Sequence, residues 1–147
     1  MLEFSGERDF GRPVAEVFAK LGDVNFLSRC IPGAEGVSCP APDTITGTLR
    51  PGFSFMRGTM NLTVRILEAT PESTIRYQLA GKGIGSSNTV EVTLNLAPSA
   101  RGTHAHYQAK VTEMGGLLKA IPQGLVKASA QKVIGDVWNE VDARLGS

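Results

Sequence analysis

Residues 114–145 run MGGLLKAIPQGLVKASAQKVIGDVWNEVDARL. From Val126 onward, Val126, Ala130, Val133, Ile134, Val137, Val141 and Leu145 recur at steps of three and four. That spacing predicts a long amphipathic helix with one buried stripe. As a helix, residues 123–145 would span about 35 Å at about 1.5 Å rise per residue. Pro122 interrupts the pattern. At about 100° per residue, Leu117, Leu118, Ile121 and Leu125 point roughly opposite to Ala130 and Val137. The segment therefore reads as a helix in two parts, with the earlier part doing a different job from the stripe. A stripe of this length requires a sheet to cover it, and the rest of the chain has to supply that sheet.

Five runs alternate apolar and polar residues with a period of two. They are Thr44–Leu49, Thr59–Ile66, Ile75–Ala80, Thr89–Leu96 and His104–Val111. Such runs predict an antiparallel sheet with one wet face. Turn-like stretches separate them at residues 69–72, 81–87 and 97–102. Ahead of them, Leu2–Phe10 reads as a strand. Pro13 then suits the start of a helix, where its missing N–H would have had no partner. Val14, Val17, Phe18 and Leu21 make one apolar face of that helix. A second short helix follows over residues 24–30 with Phe26 and Leu27 turned inward, and Pro32 ends it. Strand, two short helices, strands and a long terminal helix make an α+β layout in which the sheet curls around the last helix.

The totals narrow the function. One domain, residues 1–147, is the expectation for this length. Lys and Arg number 15 against 14 Asp and Glu, so no net field favours nucleic acid. No run approaches the ~18 apolar residues of a membrane span, and Met1 leads straight into a strand pattern, so no signal peptide is expected. Two cysteines, Cys30 and Cys39, do not make a disulfide framework. The expected location is cytoplasmic, at most peripheral on the inner face of the membrane.

This order of elements, with the residues that fill it, resembles the START/Bet v 1-like (helix-grip) superfamily. Within it the sequence is similar to the G-subunit family of carbon monoxide dehydrogenase. The residues that carry the resemblance are Phe4-x-Gly6, Pro13-x-x-x-Val17-Phe18, Leu21-x-Asp23 and above all Cys30-Ile31-Pro32-Gly33. Gly58-Thr59, Gly81-Lys82-Gly83 and Gly102-Thr103 agree as well. The resemblance implies a curved seven-stranded antiparallel sheet gripping the C-terminal helix, with a hydrophobic cavity between them. It implies a hydrophobic small-molecule partner, quinone- or lipid-like, and an accessory role to a molybdenum hydroxylase of the carbon monoxide dehydrogenase type. Longer members carry a C-terminal tail suited to membrane attachment, whereas this sequence ends at Ser147, so only transient contact with a membrane surface is expected. Many members place a second Cys after Pro-Gly, where this sequence has Ala34.

Candidate chemistry is sparse. His104 and His106 share a strand face with Gln108 and Lys110, and zinc would need three or four converging ligands. They read as exposed strand histidines. Cys30 reads as a buried structural thiol, because a catalytic one would need an activating base that the sequence does not name. The run Gly81-Lys82-Gly83-Ile84-Gly85 joins two strands, whereas a phosphate cradle opens a helix. Glu113, at the end of the last strand, reads as a solvated strand end. No metal or cofactor is expected.

The inward faces are the informative part. Phe53, Phe55, Met56, Met60, Leu62, Tyr77, Leu79 and Tyr107 face the same interior as the helix. Many facing positions are small, among them Gly47, Gly81, Ala105, Ala109, Gly115, Gly116, Gly124 and Ala128. Small residues opposite a long helix leave room for a ligand; a solid core closed by sheet curvature is the alternative. The residues expected to line a cavity are Phe26, Pro32, Phe53, Phe55, Met60, Leu62, Tyr77, Leu79 and Tyr107, with the two tyrosines supplying hydroxyls. Leu117, Leu118, Ile121 and Leu125 join them from the segment before the helix. That segment reads either as a gate over the cavity or as simple packing under the sheet edge. Two functions follow: a non-enzymatic carrier of a hydrophobic small molecule, or a polyketide cyclase/aromatase-like enzyme using Tyr77, Tyr107 and Glu113.

Overall fold

The computed structural model of the chain describes residues 2–50, 58–83 and 85–145. Among them, seven strands form one antiparallel sheet in the order β1-β7-β6-β5-β4-β3-β2. The strands are β1 (Glu3–Phe10), β2 (Glu35–Ala41), β3 (Thr44–Leu49), β4 (Met60–Thr70), β5 (Thr74–Gly83), β6 (Ser86–Ser99) and β7 (Gly102–Gly116). Helices α1 (Val14–Leu21) and α2 (Val24–Ser28) lie between β1 and β2, and α3 (Gln123–Leu145) closes the chain. The curved sheet wraps the terminal helix, which is the helix-grip arrangement.

Local chemistry explains most boundaries. Pro13 sits just ahead of α1 and its carbonyl accepts from the amides of Glu16 and Val17, both at 3.0 Å. Asp23 starts α2 by accepting from the Asn25 amide at 2.9 Å, which satisfies one of the unpaired donors of a helix N-terminus. β1 pairs with β7 in unbroken register from Glu3 opposite Lys110 to Phe10 opposite Thr103. The first strand thus closes against the last, and β6 and β7 form the longest ladder.

Three readings of the sequence need correction. The alternating runs did not show β2, because it is an irregular edge: its register against β3 shifts twice, Gly36 has φ +59°, and Pro40 removes a ladder donor. Residues 81–87 are mostly strand rather than loop, since β5 continues to Gly83 and β6 begins at Ser86. The largest change concerns residues 114–122. Met114 to Gly116 complete β7, a 3-10 turn spans Leu117–Ala120, and the helix starts only at Gln123. The segment is not the first part of the helix. Gly116 makes the corner at φ +64°, with the Gly85 carbonyl so close that any side chain would collide with it.

The main core lies at the end of the sheet where β1, α1 and α2 meet the C-terminal half of α3. Phe10, Val17, Leu21, Ile75, Leu94 and Val141 are fully buried there. Trp138 anchors the helix, with ring centroids 6.4 Å from Phe10 and 5.6 Å from Tyr107. Arg8 donates to Asn139 Oδ1 at 2.8 Å, and Arg12 Nε donates to the Leu145 carbonyl at 3.0 Å. The second bond places a cation at the negative end of the helix dipole. The C-terminal half of α3 is therefore held by packing, by a side-chain clasp and by a charged cap.

Candidate functional site

A cavity of about 300 Å³ lies between the sheet and the N-terminal half of α3. Its floor is regular. Four adjacent strands contribute two inward residues each: Met60 and Leu62 from β4, Leu79 and Gly81 from β5, Asn88 and Val90 from β6, Val111 and Met114 from β7. The roof is the helical face carrying Val126, Ser129, Ala130, Val133, Ile134 and Val137. These residues recur at three- and four-residue steps, so one face of α3 forms the whole roof. Met60, Leu118 and Val126 form a small cluster of their own, with Met114 and Ile121 packed against it, and close one end. Ile31, Pro32, Leu49 and Arg50 complete the wall. Pro32, Arg50, Asn61 and Lys132 are exposed, which marks the open side.

The walls are mostly apolar, and the polar groups are few. Lys132 Nζ lies 3.0 Å from Asp136 Oδ2, so the rim charges contributed by α3 are paired with one another. Ser129 Oγ donates back to the Leu125 carbonyl at 2.9 Å. Asn88 occupies an inward position of β6, in the row that continues as Val90, Val92, Leu94 and Leu96. Its Nδ2 and Oδ1 lie 3.2 and 3.3 Å from the point where a Cβ at Gly81 would be, so the carboxamide lies across the bare Gly81 backbone.

Of the residues expected to line a cavity, the structure brings Pro32, Met60, Leu62, Leu79 and Leu118 together around it. Others stand elsewhere. Phe26 is buried in the main core, with Lys20 Nζ 5.7 Å from its ring centroid. The Tyr77 hydroxyl donates to the Leu21 carbonyl at 2.7 Å, a buried bond that fixes β5 to α1 and turns the hydroxyl away from the cavity. Burial pushes its phenol well above the ordinary range. Tyr107 lies against Trp138 and across Gly6, its partner on β1, where any Cβ would meet the phenol ring. Ile121 packs on the small cluster. Leu125 is 45% exposed and stands outside the cavity. Phe53, Phe55, Met56 and the Leu117 side chain fall outside the described residues. Of the small positions, Gly81 borders the cavity, whereas Ala105 and Ala109 are buried in the main core and Gly124 and Ala128 face solvent. Gly47 is faced by Val37.

The other candidates resolve into structural roles. His104 Nδ1 lies 2.8 Å from Asp9 Oδ1, and its Nε2 lies 3.3 Å from Glu7 Oε1. The hydrogen bond to Asp9, then that to Glu7, holds its pKa above the ordinary value. Among the described residues no group of three or more His, Cys, Asp or Glu is arranged to hold a metal ion. The buried Cys30 thiol donates to the Phe26 carbonyl at 3.4 Å, and burial, opposed by the nearby Arg144, pushes its pKa up to about 11. Glu113 is exposed and stands apart from the cavity. Sequence reasoning missed Asn88 and Trp138. Asn88 was findable: the β6 alternation extended back one step from Val90 lands on it.

Comparisons with known proteins agree with this architecture. A family model described as the G-subunit of carbon monoxide dehydrogenase (CoxG) matches residues 6–146. No curated protein matches the sequence at a significant level. Among solved structures, a conserved protein from Geobacillus kaustophilus is similar at TM-score 0.86 and 24% identity, covering 97% of this chain and 94% of that one. A START superfamily protein from Mycobacterium smegmatis is similar at TM-score 0.74 and 12% identity, covering 97% and 95%. At such identities these likenesses establish the START-like fold. Among the described residues, no helix is long and apolar enough to cross a membrane.

Proposed function

Because the chain belongs to the CoxG family of carbon monoxide dehydrogenase, we propose that residues 1–147 act as one domain that binds a hydrophobic small molecule, quinone- or lipid-like, without turning it over. The observation that carries this reading is the apolar cavity under the N-terminal half of α3. Its volume stands at the lower end of the range for ligand sites, about 300–1,000 Å³. That suits a bicyclic ring with any tail running out through the open side. Removing about 200 Å² of apolar ligand surface from water yields about 5 kcal/mol at about 25 cal/mol per Å². Useful affinity therefore needs no catalytic group.

In this role the protein serves as accessory to a molybdenum hydroxylase of the carbon monoxide dehydrogenase type, taking up or delivering the ligand in transient contact with a membrane surface. Exposed Leu125 precedes the roof residue Val126 on α3, which also carries Lys127 and Lys132, the residue types that such contact uses. The cyclase-like alternative has less support. Of its three residues, Tyr77 spends its hydroxyl on the Leu21 carbonyl, Tyr107 packs on Trp138, and Glu113 lies outside the cavity.

The test is native mass spectrometry and solvent extraction of the purified protein, together with titration with menaquinone analogues. A co-purified lipophilic molecule, or saturable binding of an analogue, is expected. The absence of both a lipophilic extract and any saturable binding would overturn the proposal.

A further inference from the structure

The inward rows of the sheet are apolar almost throughout, and beneath the cavity one carboxamide, Asn88, stands in such a row, whereas Asn61 is exposed at the open side. Along β6 the even-numbered residues face inward, and Val90, Val92, Leu94 and Leu96 are all buried. Asn88 is the next in that row and borders the cavity beside Val90, Met60 and Leu79. A carboxamide in such surroundings normally bonds to a neighbour, because an unpaired amide away from water is costly. Among the described residues the half-buried Asn88 side chain has no such partner, and its amide atoms open on the cavity rather than being sealed in the core. Its position is nonetheless defined. It lies across Gly81, its register partner on β5, with both amide atoms within 3.3 Å of where a Cβ would stand. Met60 Cε lies 3.4 Å from the same point. The sheet thus offers a bare glycine as a platform for one polar group within an apolar chamber.

We infer that Asn88 is the recognition residue of this cavity, reading a carbonyl or hydroxyl group on an uncharged and otherwise apolar ring. The inference rests on the proposed binding of a hydrophobic molecule there and adds the polar feature that the molecule must carry. A carboxamide has two donors and one acceptor. Its Nδ2 donates to a carbonyl oxygen, and its Oδ1 accepts from a hydroxyl. One residue therefore suits both the oxidised carbonyl form and the reduced hydroxyl form of the same ring, which a carrier that collects one and returns the other would need. The ring is uncharged because the walls around Asn88 are apolar and an unpaired charge is disfavoured among them; the charged groups of the lining, Arg50 and the Lys132–Asp136 pair, belong to the open side.

The test pairs two probes of one skeleton, menadione and 2-methylnaphthalene, with two proteins, wild type and Asn88→Leu. The expected result is that Asn88→Leu weakens menadione binding about tenfold, the size of one protected hydrogen bond, and leaves 2-methylnaphthalene as tight or tighter. Equal effects on both probes, or none on either, would overturn the role of Asn88 while leaving the apolar binding reading intact. If neither probe binds wild type, both readings fall together. A second measurement does not depend on the variant's folding. The infrared carbonyl stretch of ¹³C-labelled menadione bound to wild type should lie below its position in cyclohexane, and an unshifted band would also overturn the inference.

Discussion

Replacing Ala130 by Leu tests whether the space under α3 is a true cavity, and the sign of the result decides. Ala130 is a small residue in the middle of the roof. Leucine adds three carbons, and burying them contributes about 2.4 kcal/mol at about 0.8 kcal/mol per methylene. Fixing the side chain costs about 0.5–1 kcal/mol, and the loss of helix propensity is about 0.2 kcal/mol. The net is a stabilisation of about 1.5 kcal/mol. For a domain of this size that raises the melting temperature by about 3–6 °C, at about 2–4 °C per kcal/mol. A solid core would respond the other way, since overpacking costs about 1–3 kcal/mol. Ala109→Leu is the control, because Ala109 is fully buried in the main core and should lower the melting temperature. The same Ala130→Leu protein should bind menadione at least about tenfold more weakly, because a single methylene of misfit in an apolar pocket is worth that much. The assays are thermal unfolding by circular dichroism and isothermal titration. A melting temperature that falls by as much as in the control, with menadione affinity unchanged, would refute the cavity.

Two further outcomes follow from the same structure. Tyr77→Phe removes the donor to the Leu21 carbonyl and should cost about 1–3 kcal/mol in urea unfolding, the penalty for a buried acceptor left unpaired. Ligand affinity should stay unchanged; a loss of affinity with unchanged stability would mean that the hydroxyl faces the ligand instead. His104 has its folded pKa raised by hydrogen bonds to Asp9 and Glu7, so the folded state holds its proton more tightly. Its contribution to stability is full below the unfolded value of about 6.5 and is lost as pH rises through the higher folded value. His104→Gln should flatten that decline in a melting-temperature profile, and an imidazole that titrates by NMR at or below 6.5 in the folded protein would contradict this.

The sequence was legible where one period ran uninterrupted. The stripe from Val126 to Leu145 and the alternation in β3 to β7 are properties of side-chain hydrophobicity alone, and the structure follows them. Legibility failed where backbone geometry or a single bond decided. β2 alternates only briefly, with Val37, Cys39 and Ala41 half-buried, and its register against β3 shifts twice, so the run was too short and irregular to stand out. The end of β7 looked helical because Leu117, Leu118 and Ile121 have helix-like spacing, yet Gly116 turns the chain through a conformation that a period cannot show. Tyr77 and Tyr107 both project from inward positions as expected, but inward comprises two regions, cavity and core. Which of them a hydroxyl enters depends on distant partners, Leu21 in one case and Trp138 in the other.

Those two regions share one helical face, and the difference between them is side-chain size. Over the cavity the face of α3 carries Ser129 and Ala130 among Val126, Val133, Ile134 and Val137; past Val137 it carries Trp138, Val141 and Leu145. The sheet matches this gradient, with Gly81 and Asn88 beneath the small half and Phe10, Tyr107 and Leu94 in the core around the large half. The clasp by Arg8, at Gly135 and Asn139, and the cap by Arg12, at Leu145, both fall in the later half of the helix. Fixation and free volume are thus separated along a single element. Loosening the N-terminal half for ligand exchange would disturb the small cluster of Met60, Leu118 and Val126 and the contacts that Ala130 and Ile134 make with the main core, while the tryptophan end keeps its packing. A helix packed evenly along its length would have to give up stability wherever it opened; this one confines that cost to the end beside its cavity.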